Sequence, residues 1–302
     1  MTAAGVAAAV VHPATRGTIH VENATVLAHT SHAGGQYVLR AHAPVIAADA
    51  RPGSFVHLRC DPALPMRRPM SIMRADAAAG WIEILYKSHG LGSRLLARRL
   101  PGDETSLVGP IGVPFKLAGY SRRPLLIGGG VGIPPMVFLA EHIRASKALC
   151  STLVIMGSEV PFPFQPRPSQ ILVPGMPDGT IAAVPLPEDW KIPSRLASRQ
   201  RLPGCFDGLV TDLARHWLGA LPESERRDVE IFSCGPTLML RAVAQMARDF
   251  QLPCQVSVEE YMACAVGGCA GCAILAITPA GPAMLRVCVD GPVFDAWTVF
   301  PA

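Results

Sequence analysis

The sequence lacks several features that would assign it to whole classes of protein. No stretch of about 18 apolar residues runs without a charge, proline or glycine, as a membrane-spanning helix requires, although 50% of the 302 residues are hydrophobic. Only 17% of the residues are charged, the net charge is +4, and no basic face of the kind that binds nucleic acid is clustered. These absences favour a globular protein that neither spans a membrane nor binds nucleic acid.

The length of the chain predicts two or three domains, and the pattern of residues divides it. We expect a short disordered leader at 1–17. Short alternating strands at 18–118, separated by Gly, Pro and Asp turns, indicate a small antiparallel barrel. Strands that alternate with helices at 119–254 indicate a parallel sheet of the nucleotide-binding kind, interrupted by a proline-rich surface insertion at 160–206. The remaining segment, 255–302, is too short to fold without a metal or a neighbouring domain.

The nine cysteines include four that follow a metal-binding spacing. Cys264, Cys269, Cys272 and Cys288 give C-x4-C-x2-C-x15-C, the spacing of plant-type ferredoxin clusters with two irons and two sulfides. Glycines and alanines between them let the backbone wrap closely and aim its amides at sulfur. Two alternatives stay open, a structural zinc site and buried free thiols, although only one C-x2-C pair occurs and no histidine follows His216.

A flavin between the barrel and the sheet would suit an electron carrier, and two short motifs fit one. Arg68 and Ser71 stand in "RRPMSI", and an arginine can neutralise a pyrophosphate. Gly92 and Ser93 stand in "GLGS" before a predicted helix, where free backbone amides attract a second phosphate. Tyr86 could supply a flat face for a ring system. Each motif alone is also typical of an ordinary turn.

The segment "PLLIGGGVGIPP" runs from a buried strand through glycines into a helix that opens with two prolines. Gly129, Gly130 and Gly132 would let phosphates approach the backbone, although the spacing is not G-x-G-x-x-G. The later "SCGP", with Cys234, Gly235 and Pro236, follows another buried strand, at the edge where such sheets bind ligands. The alternatives are a tight turn for the first segment, and a core cysteine before a helix for the second.

In this order, the motifs resemble the electron-transfer subunit of the NAD-dependent bacterial dihydroorotate dehydrogenase, within the ferredoxin-reductase superfamily. The resemblance covers residues 18–158 and 207–297. It implies a multi-domain α+β fold with an antiparallel β-barrel FAD domain, an α/β parallel-sheet NAD domain and a small C-terminal 2Fe-2S domain. The departures are Ser93, where threonine is frequent, and the long insertion, which sits where the adenosine half of the cofactor could bind and leaves NADP open.

The resemblance also implies site residues, partners and a place in the cell. It assigns the cysteine quartet to the cluster, no residue to acid or base catalysis, and to the flavin Arg68, Pro69, Met70, Ser71, Leu85, Tyr86, Lys87, Gly92 and Ser93. An FMN-containing subunit would oxidise dihydroorotate, and electrons would pass through 2Fe-2S and FAD to NAD+ in a cytoplasmic heterotetramer of pyrimidine biosynthesis. Two alternative functions remain. The first is a related NAD(P)H-dependent reductase subunit of the sulfide dehydrogenase or transhydrogenase type, and the second is a non-catalytic scaffold in which the cluster has only a structural role.

Overall fold

The structure is a computed structural model that describes residues 17–117, 122–146 and 149–301. The predicted leader, except for residue 17, lies outside the described residues. The predicted boundary between residues 118 and 119 lies outside them too.

The first part of the chain forms a closed antiparallel barrel with two short helices. The strands are β1 (His20–His32), β2 (Gln36–His42), β3 (Phe55–Leu58), β4 (Arg68–Asp76), β5 (Trp81–Lys87) and β6 (Glu104–Ile111), and the helices are α1 (Pro44–Asp49) and α2 (Gly90–Leu96). Their order around the barrel is β1-β2-β5-β4-β3-β6. Because side chains alternate along a strand, Ile82, Ile84 and Tyr86 of β5 fill the barrel, whereas Leu85 packs with the core of the neighbouring sheet.

The second part of the chain forms a six-stranded sheet with helices on both faces. The strands in this part of the chain, inside and outside the sheet, are β7 (Arg123–Gly129), β8 (Leu153–Gly157), β9 (Arg167–Pro168), β10 (Ala182–Ala183), β11 (Ser194–Ala197), β12 (Val229–Cys234), β13 (Cys254–Ser257), β14 (Ala273–Thr278), β15 (Gly281–Arg286) and β16 (Val293–Asp295). Its helices are α3 (Ile133–Ala145), α4 (Pro185–Asp189), α5 (Val210–Ala220), α6 (Glu223–Arg226), α7 (Thr237–Asp249) and α8 (Ala296–Val299). The six-stranded sheet has the order β11-β8-β7-β12-β13-β16, and β9–β10 and β14–β15 form separate pairs.

The sheet confirms the predicted alternation of strands and helices. Strands β11, β8, β7, β12 and β13 are parallel, and β16 pairs with β13 in the opposite direction. Along β7, Leu126 faces α3, and Leu125 and Ile127 face α5 and α7, so β7 is buried on both sides. The chain order reverses between β7 and β12, and open α/β sheets bind ligands at the carboxyl ends of the strands at such a point.

The proline-rich stretch differs from the surface insertion that its composition predicted. Within 160–206, β11 pairs with β8 as an edge strand of the sheet, and Phe162, Val184 and Leu196 are buried in its core. Pro193, directly before β11, and Pro185, at the start of α4, interrupt the pattern and hid this structure from a reading based on periodicity.

The C-terminal segment is less separate than we expected. The predicted boundary between residues 254 and 255 falls inside β13, and β16 returns to pair with that strand. Met262, Ala276 and Val287 share one core with side chains of α7 and the sheet. In the part of the chain that the structure describes, no helix combines the length and apolarity needed to cross a membrane.

Candidate functional site

The four cysteines of the predicted cluster form two close pairs in the C-terminal segment. Cys264, Cys269 and Cys272 stand between β13 and β14, and Cys288 follows β15. The sulfurs of Cys272 and Cys288 are 3.3 Å apart, and the backbone N–H of Cys269 donates to the sulfur of Cys264 over 3.4 Å. The fold therefore brings a pair of neighbouring cysteines from the loop next to a second pair that includes the distant Cys288.

The loop backbone is arranged to stabilise negative sulfur. Burial opposes ionisation of the Cys264 thiol, but hydrogen bonds from loop N–H groups outweigh it and lower the pKa to about 7. Burial and the neighbouring Cys272 raise the pKa of Cys288 to about 12. Because metal ligation requires thiolate, a bound cation would favour ionisation of both groups.

Three residues of the loop adopt left-handed backbone conformations that hold these amides in place. Ala265 has φ 57° and Ala270 φ 53°, values that cost energy for a residue with a side chain. Gly267 has φ 83°, and a Cβ there would lie 2.6 Å from Val289. Arg286 donates to the carbonyl of Gly267 over 3.1 Å and ties the loop to β15. The donor set and its aimed amides thus fit an iron–sulfur cluster.

Among residues 17–117, 122–146 and 149–301, no three His, Cys, Asp or Glu side chains are grouped to hold one metal ion.

On the barrel, the structure brings Arg68 next to the start of α2. A Cβ at Gly92 would lie 3.5 Å from Nε of Arg68 and 3.5 Å from the sulfur of Cys60. The Arg68 guanidinium is exposed and donates to the carbonyls of Met66 and Arg67 over 3.2 and 3.0 Å. An exposed cation beside a glycine at a helix start fits one phosphate group of a dinucleotide.

Ser93 is used differently from what we expected. Its hydroxyl is buried, accepts from the backbone N–H of His89 over 2.6 Å and donates to the carbonyl of His89. The hydroxyl therefore braces the entry to α2.

The predicted aromatic face of Tyr86 lies inside the barrel. Its ring stacks on Tyr37 with 5.4 Å between centroids, and its hydroxyl lies 2.9 Å from Nε2 of His29. Burial raises the pKa of Tyr86. Leu85 packs towards the sheet and Lys87 is exposed, whereas Pro69, Met70 and Ser71 are half-buried along β4.

The two predicted nucleotide loops lie side by side. Gly128 at the end of β7 pairs with Cys234 at the end of β12, so the glycine turn and the Cys-Gly-Pro turn occupy the same edge of the sheet. A Cβ at Gly132 would overlap the carbonyl of Cys234, and one at Gly129 would overlap the sulfur of Met239. Glycine is therefore required for these loops to pack against each other. Strand β5 of the barrel touches the glycine turn, which places the flavin candidates beside it.

Two charged or polar side chains near these loops were missed by sequence reasoning. The side chain of Glu259 reaches solvent, but protein atoms surround most of its carboxyl group. This partial desolvation raises the pKa of Glu259. Burial, followed by the charge of Glu259, raises the pKa of Cys234. The only signal in the sequence was an acidic pair just before the cysteine motif.

The second missed residue is His57 on β3. Its Nε2 is buried without a partner among the described residues, and its ring lies near the backbone of Met262 in the cysteine segment. Burial, together with the charge of Arg67, lowers the pKa of His57. A histidine inside a strand pattern gives no sign that it will stand between the barrel and a cysteine loop.

Comparison with known proteins defines the class first. The chain is similar, with a TM-score of 0.72, to a structure of NADH-dependent reduced ferredoxin-NADP oxidoreductase; the match covers 91% of this chain and 89% of that one. At 24% identity this likeness shows the fold, that of a ferredoxin-reductase-like oxidoreductase. Residues 259–300 match the family model described as the iron-sulfur cluster binding domain of dihydroorotate dehydrogenase B.

Two curated relatives carry the name "Dihydroorotate dehydrogenase B (NAD(+)), electron transfer subunit". The one from Desulforamulus reducens is 31% identical over 283 residues, and the one from Bacillus caldolyticus is 32% identical over 289 residues. Each match covers 92% of this chain and 98% of the relative. The chain belongs to the family of dihydroorotate dehydrogenase B electron transfer subunits.

This membership confirms the predicted family, the fold class and the assignment to the oxidoreductases that transfer electrons. The rival reading, a reductase subunit that serves another redox partner, is not favoured by relatives of this name. The predicted cofactors, FAD, a 2Fe-2S cluster and NAD, agree with this family and its cluster-binding domain.

Proposed function

We propose that the chain carries electrons from a dihydroorotate-oxidising, FMN-containing partner subunit to a nicotinamide dinucleotide, which is NAD(+) in the name of its relatives. The observation that carries this proposal is the approach of the loop cysteines to Cys288, with Cys272 and Cys288 3.3 Å apart, beside loop amides that lower the pKa of Cys264 to about 7. When bound, the cofactors supply the redox chemistry, because a flavin can exchange hydride with nicotinamide and single electrons with a cluster.

The residues of the chain bind and orient these groups. Cys264, Cys269, Cys272 and Cys288 would ligate the cluster, and the exposed guanidinium of Arg68 with the backbone at Gly92 would hold the flavin phosphates. Pro69, Met70, Ser71, Leu85, Tyr86, Lys87 and Ser93 complete the flavin assignment on β4, β5 and α2. Gly129, Gly130 and Gly132 with Cys234, Gly235 and Pro236 would receive the nicotinamide dinucleotide at the switch point of the sheet.

We further propose that the chain is cytoplasmic and works in a heterotetramer, with its partner docked on the hairpin formed by β14 and β15. Cross-strand partners Leu275 and Met284 are 62% and 63% exposed, whereas Ile274 and Leu285 on the opposite face pack into the core. Cys269 is exposed at the start of this hairpin. An apolar face beside an exposed cluster ligand suits a partner that delivers electrons there.

The docking face predicts the effect of a charge at Leu275. Leu275→Glu should weaken binding to the dihydroorotate-oxidising subunit of the same genome by at least about tenfold, because a carboxylate would be desolvated in the interface. Leu172→Glu is the control, because Leu172 is an equally apolar residue that is 85% exposed and lies between β9 and β10. Binding is measured by biolayer interferometry; equal affinities for the two variants would remove the hairpin from the interface.

The proposed function is tested by an ultraviolet and visible spectrum of protein purified without oxygen, together with iron and sulfide analysis. We expect bound flavin, about two irons and two sulfides per chain, and bleaching when a reduced nicotinamide dinucleotide is added. Zinc in place of iron, or protein without flavin, would contradict the proposal and favour a non-catalytic scaffold whose metal site has only a structural role.

A further inference from the structure

Arg286 is the only cationic side chain in the C-terminal segment, residues 255–302. The other charged residues of this segment are all acidic, and they are Glu259, Glu260, Asp290 and Asp295. Thiolate ligands would add further negative charge when they hold a cluster. A single cation in such a segment therefore has an electrostatic effect that no other residue of the segment can replace.

The structure places Arg286 against each part of the chain that carries a cysteine ligand. On β15 it pairs with Ala273 of β14, which directly follows Cys272. Two residues after Arg286 the chain reaches Cys288. On the loop side, Nη1 of Arg286 donates over 3.1 Å to the carbonyl of Gly267, which lies between the first two ligands. The guanidinium group therefore lies beside the proposed cluster site.

Gly267 connects Arg286 to the fourth ligand. Burial raises the pKa of the Cys288 thiol, and the N–H of Gly267 opposes this shift because it stabilises the thiolate. The carbonyl of the same glycine accepts from Arg286, and a Cβ at Gly267 would lie 3.3 Å from Nη1. Arg286 therefore holds in place a residue whose amide acts on a ligand sulfur.

The charge of Arg286 is only weakly paired. Oδ2 of Asp290 accepts from the backbone N–H of Arg286 over 2.7 Å but lies 3.8 Å from its Nε. The two side chains are 41% and 33% exposed, and partly exposed pairs at such a distance interact weakly. Two opposite charges thus stand next to the cluster site, and each can be removed without the other.

A fixed positive charge favours the reduced form of an iron–sulfur cluster. Reduction adds one electron, which converts one ferric iron to ferrous iron and makes the cluster more negative by one charge. A neighbouring cation stabilises this added charge. The net charge around a cluster and the hydrogen bonds to its sulfurs set its reduction potential, and Arg286 acts on both.

We propose that Arg286 raises the reduction potential of the cluster and so favours the step in which one electron passes from the partner subunit to the cluster. The inference rests on the proposed function, because it needs a cluster on the four cysteines. Arg286 is a positioning residue, since it acts through its charge and through Gly267 and ligates no iron. The same electron leaves the cluster for the flavin, so the opposing charge of Asp290 suits a carrier that must both accept and release it.

The test is a redox titration of the full chain, purified without oxygen and without its partner. The electron paramagnetic resonance signal of the reduced cluster reports the midpoint potential. Arg286→Gln removes the charge but keeps a donor for Gly267, and it should lower the one-electron equilibrium constant for reduction by at least about threefold. This change is about 28 mV, because tenfold corresponds to about 59 mV for one electron.

Two further variants separate the charge from the contact. Arg286→Lys keeps the charge without the planar fork and should retain most of the parent potential. Asp290→Asn removes a negative charge but keeps an oxygen that accepts from the N–H of Arg286, and it should raise the potential. The opposite signs expected for Arg286→Gln and Asp290→Asn would not result from a general loosening of the loop.

Arg199→Gln is the matched control, because it removes the same charge far from the cysteines. Arg199 is exposed and follows β11, the edge strand that four strand spacings, about 19 Å, separate from β13. This separation exceeds the Debye length of about 10 Å at 0.1 M salt, so the potential should stay at its parent value.

Unchanged potentials in Arg286→Gln and Asp290→Asn, with about two irons per chain retained, would overturn the inference and leave the proposed function standing. Shifts of the same sign in these two variants would also overturn it, as would a loss in Arg286→Lys as large as that in Arg286→Gln. If Arg286→Gln does not fold, Asp290→Asn decides alone, and a potential that fails to rise overturns the inference. A parent protein without an iron–sulfur signal would overturn the proposed function and this inference together.

Discussion

Gly132 shows how a single hydrogen in place of a side chain shapes the nucleotide site. The backbone of the glycine turn passes so close to Cys234 and Gly235 that a Cβ at Gly132 would overlap both. Sequence reasoning identified the glycines but could not tell a tight turn from a ligand loop, because the opposing chain comes from a strand about 100 residues away.

Gly132→Ala should therefore destabilise the protein by about 1–3 kcal/mol and weaken nucleotide binding, because the two loops must move apart. Gly219→Ala is the control: Gly219 lies in α5 with no neighbour within 4 Å of its Cβ position, and the change should stabilise the protein by about 0.5–1 kcal/mol. Thermal unfolding measures both. A Gly132→Ala protein as stable as the parent would show that the loops are not in contact.

Glu230 carries a pH dependence that the sequence does not reveal. Burial raises the pKa of Glu230, and the hydrogen bond from Gln255, 2.9 Å from its Oε1, offsets this only in part. A carboxyl whose pKa is raised on folding stabilises the fold while it is protonated. That contribution is complete below the pKa of the unfolded chain and is lost as the pH rises through the folded pKa.

Glu230→Gln keeps an oxygen that accepts the hydrogen bond from Gln255 but cannot ionise. The variant should therefore not lose stability as the pH rises through the folded pKa of Glu230. The melting temperature of the variant should exceed that of the parent increasingly as the pH rises from about 4 to 8. Glu104→Gln, which changes an exposed carboxyl at the start of β6, is the control. A difference that shrank with rising pH would contradict the sign of the shift.

At the scale of elements, one ion-pair network fixes the barrel against the sheet. Arg74 on β4 donates to Glu141 on α3 over 2.7 Å and lies 3.5 Å from Glu83 on β5. Its guanidinium also lies over the rings of Trp81 and Trp190, at 5.4 and 5.7 Å. The network joins three parts of the chain, and its acidic members are at most 21% exposed.

Arg74→Leu should lower the free energy of unfolding by about 1–3 kcal/mol, because the half-buried carboxylate of Glu141 would lose this cation and Glu83 would keep only Arg40. Arg227→Leu breaks an exposed pair, Arg227 with Glu223, and should leave the free energy of unfolding nearly unchanged. Urea unfolding compares the two. Similar effects would mean that the Arg74 network does not hold the barrel to the sheet.

The elements predicted from sequence are those whose side chains repeat at short range. β7, α3 and β12 were predicted, because buried strands and helix periods are local signals. β11 and β16 were missed, since each is an edge strand of three or four residues that is recognisable only by its partner. Strands of three or four residues are too short to show a period in the sequence.

For the molecule as a whole, the cluster site and the flavin site lie on different parts of the chain. We therefore expect that a change at the cluster can abolish one electron-transfer step and leave the other intact. Cys269→Ser should abolish electron transfer to the dihydroorotate-oxidising partner and reduce the iron content, since an alcohol is a poor ligand for iron at neutral pH. Reduction of the flavin by the nicotinamide dinucleotide should persist, because the proposed flavin residues lie on the barrel. Cys150→Ser changes a half-buried thiol outside the cluster and is the control. Full coupled turnover in Cys269→Ser would remove this residue from the electron path.

The sequence by itself determined the cysteine spacing, the glycine turns and the family, because ligand spacing and backbone freedom are properties of residues near one another in the chain. Only the tertiary structure decided that Ser93 braces a turn, that Tyr86 fills the barrel, and that His57 faces the cysteine segment. It also decided that the proline-rich stretch supplies an edge strand of the sheet. Each of these depends on contacts between segments far apart in sequence, and burial, which sets which polar groups are satisfied and which remain free, is fixed only when those segments pack.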